Sequence, residues 1–303
     1  MKYTIIGHFC IDIRHGEGGD EARSYAGILT TVKAMASLAE DGDTVYPVFG
    51  VGERDYYGVK TALAPYKNVD ISGIYSTREE SNEVHFFPNG KGVTVCAKKI
   101  AAPIPFSKIE SYLNVNGVLI NMISGADITV DTLDEIRMVV RAKGTPVHLD
   151  LHNLTLGVNA DATRFRRPLV DWRRWCFMMN IVQMNAEEAR GLTTEYTEIE
   201  HLVKQMVPLM VQALCVTLGE DGAVIYEAQH KSTTAHQIAG TSAGRNADTT
   251  GCGDIFGAAF LYRSCTAKNF AEAGAFAVRI ASGSVRAAGE EKFTAIAGLK
   301  EAP

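Results

Sequence analysis

The chain has 303 residues, 46% hydrophobic and 21% charged, a balance that gives a globular protein apolar material for a sizeable core. A formal net charge of −5 argues against a nucleic-acid surface, which needs a basic face, and no apolar run approaches the roughly 20 residues of a membrane-spanning helix. Six scattered cysteines, with no close C-x-x-C pair and no His/Cys cluster at zinc spacing, point to a reduced, cytoplasmic setting.

In chain order, Tyr3 to Gly7 reads as a first strand with no secretory apolar region before it, and Cys10 to Arg14 follows with an apolar/polar alternation. A helix is predicted over Ala26 to Glu40, a strand over Thr44 to Val51 and a helix over Tyr56 to Ala64. Glu83 to Lys99 predicts a hairpin, Val84-His-Phe-Phe87 against Val93-Thr-Val-Cys96, turned at Pro88-Asn89-Gly90. One of its faces looks into a cleft and the other away, and the alternation alone does not say which.

Strand Val118 to Asn121, helix Val130 to Ala142 and strand Val147 to Leu151 come next. Arg164, Arg166, Arg167, Arg173 and Arg174 form a basic cluster which, interrupted by Asp171 and Trp172, reads as a solvated helix face. Trp172 and Trp175 read as core. Strand Met178 to Met184, helix Thr197 to Met210 and strand Ala213 to Leu218 continue the alternation, and Gly222 to Tyr226 with Lys231 to His236 reads as a strand pair. Helices Asp254 to Ser264 and Phe270 to Ala288 close the chain. The rhythm predicts a doubly wound α/β fold, a mostly parallel sheet with helices on both faces. Residues 10–14 and 83–99 interrupt that rhythm and read as a small β-lid on a single domain spanning 1–303.

The run Asn246-Ala-Asp-Thr-Thr-Gly-Cys-Gly-Asp254 is the most informative segment. Two glycines bracket a small residue immediately before a helix, so backbone N–H groups of Gly251, Cys252 and Gly253 can converge on an anion at the positive end of the helix dipole. A carboxylate, Asp254, placed beside such an anion hole suits removal of a proton from a hydroxyl that attacks phosphorus.

This run resembles the D-T-x-G-A-G-D turn of the PfkB/ribokinase family of carbohydrate and nucleoside kinases, with Cys252 where alanine is usual. Gly50-Val-Gly-Glu-Arg-Asp-Tyr-Tyr-Gly58 is similar to the family's V-G-x-D-x-x-G segment, with an extra residue before Asp55. Asn185-Ala-Glu-Glu188 is similar to its N-x-x-E motif, and Thr217-Leu-Gly219 with Gly222 to its T-x-G-x-x-G turn. Plain structural readings stand beside these: Asn185 as a helix N-cap, Glu188 as a first-turn dipole partner, Gly219 and Gly222 as turn glycines.

The resemblance implies a ribokinase-like fold and an ATP-dependent kinase acting on a hydroxyl of a small sugar or sugar-like molecule. In it Asp254 is the base, and Gly251, Cys252 and Gly253 form the anion hole. Asn185, Thr217, Gly219, Gly222 and, on the last long helix, Ser282 contact the nucleotide, and Glu188 meets Mg2+ through water. Asp12 lies where the family holds acceptor hydroxyls, and Gly27 is the one glycine kept of a G-G-x-x-x-N segment whose asparagine is absent here. That absence leaves open a nucleoside or heterocyclic-alcohol kinase, or a non-catalytic sensor of nucleotide or sugar. Asp150-Leu-His152 ends a strand and reads as a helper toward the ligands or as a loop cap. Apolar lid edges suggest a homodimer formed by lid pairing.

Overall fold

The computed structural model describes residues 1–90, 92–195, 198–230, 232–241, 248–267 and 269–300. Asn246 and Ala247 of the glycine turn, Thr197 of a predicted helix and Lys231 of a predicted strand lie outside the described residues.

From the amino terminus, β1 (Lys2–Ile6) leads to β2 (Phe9–His15) and β3 (Glu21–Gly27), then α1 (Ile28–Leu38), β4 (Thr44–Gly52), α2 (Glu53–Leu63) and β5 (Ile74–Thr77). The pair β6 (Asn82–Pro88) and β7 (Val93–Lys99) precedes α3 (Phe106–Ile109), β8 (Gly117–Asn121), α4 (Val130–Lys143) and β9 (Val147–Asp150). A short hairpin of β10 (Leu156–Val158) and β11 (Arg164–Arg166) is followed by α5 (Trp172–Cys176), β12 (Ile181–Asn185), α6 (Ala186–Gly191) and α7 (Ile199–Met206). The chain ends with β13 (Ala213–Thr217), β14 (Gly222–Gln229), β15 (Ser232–Ala239), α8 (Cys252–Ala267), α9 (Phe270–Ser284) and α10 (Glu291–Lys300).

Nine strands form the main sheet in the order β15-β14-β13-β12-β9-β8-β1-β4-β5. The strands from β13 to β5 are parallel, and β14 and β15 are added antiparallel at one edge. The central strands read as continuous apolar runs because both their faces are covered; all five residues of β8 are buried. Helices α1, α8, α9 and α10 pack together as one group, and α3, α4 and α5 as another. The strand order reverses at β1, which has β4 on one side and β8 on the other. Such a reversal leaves a crevice outside the carboxyl ends of the strands.

A second, four-stranded sheet, β3-β2-β6-β7, forms the lid. Val84 and Phe86 of β6 line a cavity with Asp12, whereas His85 and Phe87 stack with His15 on the opposite face, the Phe87 ring 4.1 Å from that of His15. The cleft-facing side of the hairpin is thereby assigned.

Several local expectations need correction. Ala26 and Gly27 belong to β3 rather than to a helix, which begins only at Ile28. The strand Glu21-Ala-Arg-Ser-Tyr-Ala-Gly27 is mostly exposed and has no apolar alternation; its pairing with β2, Asp12 opposite Ser24, makes it a strand. Met178, expected to open a strand, has φ 60 and sits in a turn, so β12 starts at Ile181. The basic cluster is not one helix face: Arg164 and Arg166 lie in β11 and only Arg173 and Arg174 in α5. Trp172 and Trp175 are buried in the core, as their spacing suggests. Among the described residues, no helix is long and apolar enough to cross a membrane.

Candidate active site

The register of the parallel strands carries polar residues to one edge. Asn121 at the end of β8 lies beside Asp150 at the end of β9, and Asn185 at the end of β12 beside Thr217 at the end of β13. The amino terminus of α8 faces this edge, with Asp254 in its first turn, where the helix dipole favours a carboxylate. Asp254 is 8% exposed, and burial raises its pKa above the ordinary carboxylate range; nearby His152 and a hydrogen bond from Asn121 pull the other way. Asn121 Nδ2 donates to Asp254 Oδ1 at 2.6 Å and to Thr31 Oγ1 at 3.1 Å, which fixes the carboxylate's direction.

The turn before α8 is held from outside the motif. Gly251 has φ +77, and a Cβ there would lie 2.6 Å from Thr30 Cγ2, so both the turn and the closeness of α1 require glycine. Lys292 at the start of α10 is buried; its Nζ reaches the Asp248 carboxylate at 2.9 Å and donates to the carbonyls of Asp248 and Thr250 at 2.7 and 2.8 Å. The side chain of Gln183 donates to the Gly253 carbonyl at 2.9 Å and to Asp150 Oδ2 at 3.1 Å. The Cys252 N–H donates to the Thr249 carbonyl at 3.2 Å. Burial raises the Cys252 thiol's pKa, with Lys292 and Ser284 acting in the opposite direction.

Two cavities flank Asp254. One, of about 380 Å³, is lined by Asn185, Glu188, Thr217, Gly219, Gly222, Cys252, Gly253 and Ser282, which brings together every residue assigned from sequence to the nucleotide and metal side. Asn185 and Glu188 form a reciprocal capping box at the start of α6: Asn185 Oδ1 accepts from the Glu188 N–H, and Glu188 Oε2 accepts from the Asn185 N–H, both at 2.8 Å. The plain structural reading of this pair is therefore realised. Burial raises the Glu188 pKa, opposed by its bond from the Asn185 backbone.

The other cavity, about 660 Å³, lies under the lid and takes in Asp12, Gly27, Val84, Phe86, Asn153 and Arg164. Burial raises the Asp12 pKa to about 6. Gly27 has φ +66, and a Cβ there would stand 2.7 Å from the His8 carbonyl, so its conformation and close packing account for the glycine. Gly251, His152 and Asp254 line both cavities. His152 has φ 38, and one ligand atom each from Asp150, His152 and Asp254 lie within 4.8 Å of one another.

Residues 162–294 match the family model described as pfkB family carbohydrate kinase. The carboxy-terminal part of the chain, Asp12 and the lid excluded, is thus similar to the pfkB carbohydrate kinases. No curated protein matches it in sequence. Its fold is shared with ribokinase from Arabidopsis thaliana complexed with ribose and ATP, 20% identical with a TM-score of 0.74, covering 100% of this chain and 99% of that one. Fructokinase from Xylella fastidiosa with bound ATP is 17% identical with a TM-score of 0.78 over 98% of this chain and 97% of that one. A pyrophosphate-dependent kinase of the ribokinase family in a sulfate complex is 15% identical, with a TM-score of 0.80 over 97% and 100%. The chain is accordingly built on the ribokinase-like α/β fold, and its residues 162–294 carry the match to carbohydrate kinases.

The matched segment contains the donor-side motifs and Asp254, while Asp12, Gly27 and the lid lie before it. Sequence reasoning missed Asn121, Lys292 and Arg164. Asn121 carries a weak signal, a polar residue closing an apolar strand; Lys292 and Arg164 carry none, because each reaches the site from a distant segment.

Proposed function

We propose that the chain transfers the γ-phosphoryl group of ATP to a hydroxyl of a sugar or sugar-like acceptor. The observation that carries this reading is that Gly251, His152 and Asp254 line both cavities, so a donor in one and an acceptor in the other would meet at a single carboxylate. The acceptor oxygen attacks the γ-phosphorus, the bond from phosphorus to the β,γ-bridging oxygen breaks, ADP leaves, and the hydroxyl proton passes to Asp254. Burial makes Asp254 a stronger base than an ordinary aspartate, and Asn121 aims it.

The amides of Gly251 and Gly253 have no protein acceptor among the described residues and are available to the transferring phosphoryl oxygens; that of Cys252 is shared with Thr249. Asp12 clamps acceptor hydroxyls beside Gly27. Asn185, Thr217, Gly219, Gly222 and Ser282 border the nucleotide.

A nucleotide is favoured over bare pyrophosphate because the 380 Å³ cavity includes small and apolar residues, Val278 and Ala281 beside Ser282, and its described lining contains no Lys or Arg. A triphosphate in a cleft bordered by Glu188 and Asp254 needs a cation. Mg2+ fits that requirement: both Glu188 oxygens already accept hydrogen bonds from Asn185, which suits contact with the ion through water, and bound Mg2+ would neutralise the β- and γ-phosphates.

The test is a coupled assay of ADP release with ATP and Mg2+ across sugars, nucleosides and vitamin-like alcohols. ADP formation is expected to depend on the acceptor and to be lost in Asp254→Asn; acceptor-independent release, unchanged in that variant, overturns the reading. Equal or faster formation of phosphorylated acceptor with pyrophosphate replacing ATP, read as phosphate release, overturns the choice of donor.

A further inference from the structure

The cavity beneath the lid contains a cation whose charge a neutral sugar does not compensate. Arg164 and Arg166 are two apart on β11, so they share a strand face, and both line the 660 Å³ space. Arg166 is engaged by Glu187 at 2.6 Å. Arg164 is half-buried and, among the described residues, has neither a hydrogen bond nor a carboxylate at ion-pair distance. Burial works against its charge, and only the fields of Cys10, Asp127 and Asp12 support it. A partly desolvated guanidinium with no partner is costly, and a planar fork of donors is the group best matched to a carboxylate or phosphate.

The position of Arg164 is fixed by the fold. The turn of its hairpin is joined to the lid by the Ala97 N–H donating to the Ala162 carbonyl at 2.9 Å and by a bridge between Cys96 and Thr163. Arg164 therefore belongs to the same enclosure as Asp12 and Phe86, and Asp254 borders that enclosure at its inner end. The hydroxyl oxygens of a polyol can accept from Arg164 but do not neutralise its charge.

We propose that the acceptor is an anionic sugar, a sugar acid or a sugar phosphate, whose carboxylate or phosphate pairs with Arg164 while its reacting hydroxyl lies at Asp254. This rests on the kinase reading above and narrows its substrate class.

The experiment uses the full chain and matched ligand pairs: C4 to C7 sugar acids against the corresponding alditols, and sugar phosphates against the free sugars. Binding is measured by calorimetry and turnover by ADP release with ATP and Mg2+, for wild type, Arg164→Lys and Arg164→Met, with thermal unfolding to establish that each variant is folded. One anionic series is expected to bind about 10- to 100-fold more tightly than its neutral partners. Arg164→Met should erase that difference by weakening the anionic ligands far more than the neutral ones, and Arg164→Lys should restore part of it. Which series responds distinguishes carboxylate from phosphate. The inference is overturned if neutral ligands bind as well as anionic ones, if no anionic member binds, or if Arg164→Met weakens both classes alike. Anion binding that depends on Arg164, without ADP release for any acceptor, would instead overturn the kinase reading and leave the anion site standing.

Discussion

On the donor side, Asn185 and Glu188 share one helical turn, and Gly251, Cys252, Gly253 and Asp254 form a single run. On the acceptor side, Asp12 comes from β2, Phe86 from β6 and Arg164 from β11, far apart in the chain and brought together only when the lid sheet and the β10–β11 hairpin assemble. The family match follows the same division, since it begins at residue 162 and so includes Arg164 but neither Asp12 nor the lid. A phosphate is recognised through backbone amides and turn shape, which short local motifs encode; a particular acceptor is recognised through side chains that different strands supply.

The largest effects are expected where the two sides meet. Asp254→Asn should lower kcat by about a hundred- to ten-thousand-fold while leaving calorimetric affinity for the donor within a few-fold. Asn121→Leu, which keeps the base but loses its 2.6 Å orienting bond, should cost about tenfold, in kcat rather than in KM. If Asp254→Asn instead weakened donor binding and spared turnover, the carboxylate would belong to the donor side alone.

The same division decided what could be read from the sequence. The sheet was legible because β1, β8 and β12 are apolar runs covered on both faces, and the lid hairpin because β6 and β7 flank a Pro-Asn-Gly turn. β3 was not legible: its exposed residues have no pattern of their own and are strand only because β2 pairs with them. Asn185, Glu188 and the glycine turn were found because their spacing is local. Arg164 was hidden because a run of arginines looks the same on a solvated helix as on a short strand facing a cavity. Lys292 was hidden because the carbonyls it holds belong to a loop more than a helix away in sequence.

The two glycines of the turn sharpen the claim that the donor side is read through backbone. Gly251→Ala should destabilise the fold by about 1–3 kcal/mol in urea unfolding, because the residue must keep a left-handed backbone and its Cβ would press on Thr30. At Gly253 a Cβ would find its nearest neighbour, Gln183 Nε2, at 3.9 Å, so alanine in the first turn of α8 should leave stability unchanged or slightly higher. A stable Gly253→Ala protein that has lost turnover would mean that the ligand, and not the fold, excludes a side chain there. Equal destabilisation of both variants would remove the distinction.

On the acceptor side the corresponding probe is pH. Burial holds Asp12 at about 6, so the ionised clamp is present above that value and is lost as the pH falls through it. KM for the acceptor should rise below about pH 6, and Asp12→Asn should raise KM about tenfold at neutral pH while removing that rise. Stability has the opposite sign: with its folded pKa raised, the Asp12 contribution is fullest below its unfolded value and is lost as pH rises through about 6. Asp12→Asn should therefore melt at a higher temperature than wild type near pH 8, with the difference closing toward about pH 4. A clamp that costs stability when charged but improves acceptor binding is what a binding role predicts; a variant with lower stability at both pH values would make Asp12 structural.

The smallest effect is expected at Cys252, in the middle of the donor turn. If this side is read through backbone alone, the side chain at that position is interchangeable among small residues, and Cys252→Ala should change kcat/KM by less than about twofold. The helix terminus would draw a thiol toward thiolate, but burial, the largest influence, raises its pKa, with Lys292 and Ser284 acting against it and Asp248 and Asp254 with it. Because the thiolate is the form that peroxide attacks, wild type and Cys252→Ala should lose activity at the same rate under peroxide. Faster inactivation of wild type, abolished by the substitution, would show that a side chain matters on the donor side after all, and the contrast between a backbone-read donor site and a side-chain-read acceptor site would fail at its centre.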